Sequence, residues 1–230
     1  MTYSPQRYLF IFLLLVSVIS CKKKPSAEKS DEGIIEYRII YLEDKVGSFS
    51  QNLLPQTMEM KFKKNKIKNT IQGAMGFFSL INIADLNEMT NSTFLKFIDK
   101  KYVYRSQKKE KPLYIMPPEE MTITFTDETK EIIGLTGKKA IVSFPGKDNN
   151  SFPIYYTTEI KLKNPNITSP YKDVPGVLLE FHANLGQSEI HLVAEKYIPE
   201  YLPDKEFYYP RNYKEISKQE MEKILNALLE

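Results

Sequence analysis

Alternation with a period of two residues recurs along this chain, and it restricts the open architectures more than any other feature. Successive side chains of a strand point to opposite faces, so an alternating run buries one face and wets the other. In Gly33 to Tyr41, GIIEYRIIY, the side chains of Ile35, Tyr37, Ile39 and Tyr41 share a face opposite Glu36 and Arg38. Gln56 to Lys63 repeats the pattern, with Met58, Met60 and Phe62 opposite Glu59, Lys61 and Lys63. Lys64-Asn65 follows as a turn, and Lys66 to Gln72 pairs back with Ile67 and Ile71 inward. The lysines of this hairpin suit an exposed sheet edge, where charge discourages further pairing.

The pattern continues downstream. Phe77 to Ala84 reads as a strand, Asp85 to Asn91 as a turn, and Thr93 to Lys100 as a helical turn or a strand. Tyr102-Val103-Tyr104 is extended, whereas Pro112 to Pro118 shows no period. Met121 to Phe125 alternates, Thr126 to Lys130 reads as a loop, and Ile132-Ile133 and Ala140 to Phe144 flank Gly134 and Gly137. Pro153 to Leu162 reads as a strand with Ile154, Tyr156, Thr158, Ile160 and Leu162 on one side. Val177 to Ala183 and Glu189 to Tyr197 form a hairpin closed by Gly186-Gln187, with glycine first as a type II′ turn requires.

Only the tail has a clear helical period. Ser217 and Glu220 form a capping box, and Ile216, Met221, Ile224, Leu225 and Leu228 make one apolar stripe. Strand following strand with little helix between implies a mostly β, α+β fold. Its form is a large antiparallel sheet covered by a C-terminal helix.

The N-terminus has the order of a secretory signal. Arg7 is followed by the apolar run Leu9 to Ile19, too short for the roughly 20 residues that span a bilayer. Val18-Ile19-Ser20-Cys21 then resembles the lipobox of bacterial lipoproteins. The resemblance implies cleavage before Cys21, a diacylglyceryl group on its thiol, and an acylated amine. Residues 1–20 are thus expected to be removed, 21–32 to be a lipidated cysteine and polar spacer, and 33–230 to form one domain. Cys21 is the one cysteine in the chain, so the domain forms no internal disulfide. The residues after it carry neither an inner-membrane retention aspartate nor an acidic export run. By resemblance the expected place is the outer membrane, facing the periplasm.

Ser169 to Phe181 reads SPYKDVPGVLLEF. Pro170-Tyr171-Lys172 and Val174-Pro175-Gly176-Val177-Leu178-Leu179-Glu180 resemble the GLPGLI family of bacterial envelope proteins, with Val174 and Val177 in place of more usual residues. Glu128-Thr129-Lys130 with Ile132, Ile133 and Gly134, and Phe207 to Tyr213, are similar to segments of related envelope lipoproteins of unknown function. Gly137 stands where many of these carry a cysteine. The resemblance implies a curved sheet similar to the half-barrel of lipoprotein carriers, which hold acyl chains on the concave face. It supplies no chemistry.

The sequence contains no Gly-rich phosphate loop, HExxH, paired-cysteine or GxSxG motif, so no enzyme and no cofactor is expected. The two histidines, His182 and His191, fall directly opposite each other in the expected hairpin. Glu180 and Glu195 share their face. Such a pair is either a weak metal or pH-sensing site needing carboxylate help, or a solvated or packed pair. A formal net charge of +3 and the envelope address speak against nucleic acid.

Met58, Met60, Phe62, Phe77, Leu179 and Phe181 are expected either to line an apolar groove or to fill the core. The expected function is a non-enzymatic, membrane-tethered module binding a hydrophobic ligand or lipid. The alternative is a structural or assembly partner in an outer-membrane complex.

Overall fold

A computed structural model describes residues 30–42, 54–73, 76–108, 110, 113, 121–144, 151–186 and 188–229. The strands are β1 (Glu32–Tyr41), β2 (Thr57–Lys63), β3 (Lys66–Gln72), β4 (Phe78–Asp85), β5 (Thr90–Phe97) and β6 (Lys100–Arg105). Next come β7 (Thr122–Ile132), β8 (Leu135–Ser143), β9 (Ser151–Thr157), β10 (Val177–Leu185), β11 (Ser188–Ile198) and β12 (Lys214–Glu215). Helix α1 (Lys218–Leu229) ends the described chain.

All of the strands join one 12-stranded sheet in the order β12-β6-β5-β4-β3-β2-β1-β11-β10-β9-β8-β7. Two meanders, β1 to β6 and β7 to β11, meet where β1 pairs antiparallel with β11. Only β12 runs parallel to its neighbour, β6. The sheet is open and curved. One core cluster joins Leu80, Leu95 and Tyr104 near one edge to Ala140 and Val142 near the other. Side chains from distant strands meet on one side only where the sheet bends towards it, so this side is the concave face.

Helix α1 packs against the β6 end of that face through the stripe read from the sequence, with Met221 and Leu225 buried and Ile216, Ile224 and Leu228 beside them. Its capping box forms as expected. The Glu220 N–H donates to Ser217 Oγ (3.3 Å) and the Ser217 N–H to the Glu220 carboxylate (2.9 Å).

On the convex face the chain after β11 forms a strap. Leu202 and Phe207 pack on Ile34 and Ile198, and Tyr209 and Tyr213 lie against the Phe94 ring farther across the sheet. The strap then contributes β12 to the edge and delivers α1 to the concave side.

Three local expectations are corrected. The lysine-rich hairpin β2–β3 lies inside the sheet, not at its edge, because the strap supplies partners for its lysines. Lys61 pairs with Glu206 at 2.9 Å, Lys63 with Asp204 at 2.9 Å, and Lys68 donates to the Glu206 carbonyl at 3.0 Å. Thr126 to Lys130 is not a loop: β7 runs through it with a register shift between Phe125 and Thr129. β9 stops at Thr157, and the chain from 158 to 176 is irregular. Thr93 to Phe97 is strand, which resolves the helix-or-strand alternative.

Candidate functional site

A cavity of about 70 Å³ lies on the concave face beneath residues 158–176. Its floor is Tyr37 of β1, Met58 and Met60 of β2, Ile67, Asn69 and Ile71 of β3, and Asn82 and Ala84 of β4. Phe181, Ala183, Leu185, Ile190 and Leu192 of β10 and β11 close one wall, and Pro165, Asn166, Thr168, Ser169 and Tyr171 form the roof. Surface depressions of about 450 and 330 Å³ beside Arg38 and Asp85 are larger but are bordered by charged side chains.

The roof is fixed by specific contacts. The Asn166 side-chain amide donates to the Val174 carbonyl (3.0 Å) and the Gly176 carbonyl (2.8 Å). The Tyr171 hydroxyl donates to the His182 carbonyl (2.7 Å), and its ring meets Phe181 edge-on. Tyr171 and Val174 are buried, and Gly176 lies directly against the Thr157 backbone. The Pro-Tyr-Lys and Val-Pro-Gly segments therefore have a structural task, which is to hold this long loop down on the sheet.

On the floor, the Tyr37 hydroxyl donates to the Leu178 carbonyl at 2.7 Å. Burial pushes the Tyr37 and Tyr171 phenols above their ordinary range, so both stay neutral donors. Asn69 and Asn82 are register partners in adjacent strands. The Asn82 amide donates away from Asn69, to Asn91 Oδ1 (3.3 Å) and Thr93 Oγ1 (3.2 Å). Asn69 Oδ1 is buried and no donor among the described residues reaches it.

Three of the six expected groove residues, Met58, Met60 and Phe181, line the cavity. Phe62 and Leu179 are fully buried core, Phe62 stacking on Tyr197. Phe77 does not belong to the groove; it precedes β4 and is 53% exposed. The lipobox residues Val18, Ile19 and Ser20, with Cys21, lie outside the described residues.

Sequence reading missed Asn69, Asn82 and Asn166 as lining residues, and singled out Tyr171 only within the Pro-Tyr-Lys resemblance. The two strand asparagines were the available signal, since each occupies an inward position of an otherwise apolar face.

The histidines do face each other. His182 pairs with His191 in the β10–β11 register, their ring centroids 4.9 Å apart. His182 Nδ1 lies 3.0 Å from Glu189 Oε1, and His191 Nε2 lies 3.2 Å from Glu180 Oε1. The second Glu180 oxygen takes Lys130 Nζ at 2.7 Å, while Glu195 is committed to Arg38. Phe152 stacks on His182 at 3.9 Å. Each imidazole thus has its own carboxylate and a packed ring face. Among the described residues no group of three or more His, Cys, Asp or Glu is placed to hold a metal ion.

No family model matches the chain, and no curated protein matches it. Among solved structures, PNGF-II in space group P21 is similar at 17% identity and a TM-score of 0.54, over 85% of this chain and 33% of that one. PNGF-II in space group C2 matches at the same identity and TM-score, over 84% and 32%. The chain spans about a third of the length of these structures. At this identity the likeness concerns the fold alone.

Proposed function

We propose that the chain is a non-enzymatic binding module, tethered to the outer membrane through a lipid on Cys21 and facing the periplasm. In this reading it holds a hydrophobic ligand on the concave face of its sheet. The supporting observation is the apolar cavity closed by residues 158–176. Structureless loops longer than about 12–15 residues are uncommon in compact domains and are often lids or binding loops.

The cavity as it stands is well below the roughly 300–1,000 Å³ that encloses a drug-sized ligand. A ligand therefore enters by displacing Met58 and Met60, whose unbranched side chains repack readily, and by lifting the roof. Native mass spectrometry of the full chain, gently extracted from bacterial membranes, tests this. The expected result is a co-purifying apolar mass released on activation, and a chain that carries only its N-terminal lipid speaks against it. The same spectra test the tether, since replacing Cys21 by alanine should remove the lipid mass.

A second reading, an assembly partner, draws on the strap. Tyr201, Tyr208 and Tyr209 are 73%, 68% and 47% exposed along it, and tyrosine is enriched at protein interfaces. Cross-linking through these positions in native membranes, recovering one dominant partner, would favour it.

A further inference from the structure

We infer that the ligand of the concave cavity is neutral and carries a hydrogen-bond donor on an apolar body, as an alcohol or primary amide does. This rests on the ligand-binding reading above and narrows it by chemical class.

The first argument is charge. Among the described residues, no Lys, Arg, His, Asp or Glu side chain lines the cavity. A carboxylate or phosphate placed there would be desolvated with no counter-charge, which is far more costly than burying a neutral polar group. An ammonium head would meet the same penalty.

The second argument is the state of the neutral polar groups. The two phenols are donors already committed, Tyr37 to the Leu178 carbonyl and Tyr171 to the His182 carbonyl. Both donating positions of the Asn166 amide go to the Val174 and Gly176 carbonyls. Those of Asn82 go to Asn91 and Thr93. Asn82 is the cross-strand neighbour that could have served Asn69, and its amide is turned the other way. Beside these committed donors stands a buried acceptor, Asn69 Oδ1, that no donor among the described residues reaches. Buried acceptors are expensive to leave without a donor, so a ligand supplying one gains more here than an equally apolar ligand without one.

The test compares three probes of one chain length: octanamide, methyl octanoate and octanoate. Binding is followed by saturation-transfer NMR on the full chain in lipid nanodiscs, with empty discs as the blank. Octanamide is expected to bind about five- to tenfold tighter than methyl octanoate, from the usual worth of one hydrogen bond, with octanoate weakest. Asn69→Leu should lower the amide to the affinity of the ester.

Equal binding of amide and ester, or tightest binding of octanoate, overturns this inference and leaves the ligand-binding reading standing. An amide preference that survives Asn69→Leu overturns the assignment to Asn69. Binding of no probe above the blank overturns both the inference and the reading beneath it.

Discussion

A β-carbon on Gly176 would lie 2.2 Å from the Thr157 carbonyl oxygen and 3.0 Å from the Tyr156 ring. The roof of the cavity leaves the sheet at this point, so the close approach of two backbones fixes where the loop ends. Gly176→Ala should destabilise the fold by about 1–3 kcal/mol, as overpacking does, measured by urea unfolding. Two tyrosines allow a sharper comparison. Tyr37 donates a hydrogen bond to Leu178, whereas the buried Tyr197 hydroxyl has no partner among the described residues. Tyr37→Phe should therefore cost about 1 kcal/mol, and Tyr197→Phe should be neutral or stabilising. Equal losses in the two variants would contradict the hydrogen-bond assignments.

His191 carries a pH signature. Burial holds its pKa below the ordinary value of 6.5, with help from His182 and Lys130 and against the pull of Glu180. The unfolded chain therefore takes up this proton at a higher pH than the folded one. Stability is fully present above about 6.5 and falls as the pH drops below it, until the folded imidazole is protonated as well. His191→Gln should flatten the loss of urea stability between about pH 7.5 and 5.5. An unchanged slope would place the dependence elsewhere.

At the scale of elements, the strands with clean alternation were legible: β1, β2, β3, β10 and β11 lie where the sequence places them, and the Gly186 turn sets the register of His182 on His191. Helix α1 was legible too, because its cap and stripe are local signals. The position of the β2–β3 hairpin was not. Its lysines signal a solvated edge, and only the distant Asp204 and Glu206 reveal that they lie under a strap. The end of β9 was hidden for a related reason. Ile160 and Leu162 keep the alternation going but are buried in the irregular segment that lies on the sheet.

The groove was half legible, since apolar residues at inward positions belong equally to a lining and to a filled core. Asn69 and Asn82 mark the polar part of that face, Asn82 bonded to Asn91 and Thr93 and Asn69 Oδ1 left without a donor among the described residues. For α1, Leu225 is 2% exposed within the main cluster. Leu225→Ala should cost about 2–5 kcal/mol in urea stability. A change within about 0.5 kcal/mol, typical of surface positions, would mean that the helix does not cover the core.

The whole molecule is a sheet treated differently on its two sides. The convex face is closed by a strap of ion pairs and tyrosines, which returns as edge strand and helix. The concave face is covered at the β6 end by that helix and over β1 to β4 by the loop 158–176, with the cavity beneath the loop. No internal disulfide contributes, because the chain has one cysteine, Cys21.

The most direct measurement is a crystal structure of the chain purified from bacterial membranes without denaturation. Continuous density for an apolar ligand between Met58, Met60 and Phe181, with a donor group against Asn69 Oδ1, is the expected result. A closed roof over density no larger than one or two ordered waters, at full occupancy, would contradict it.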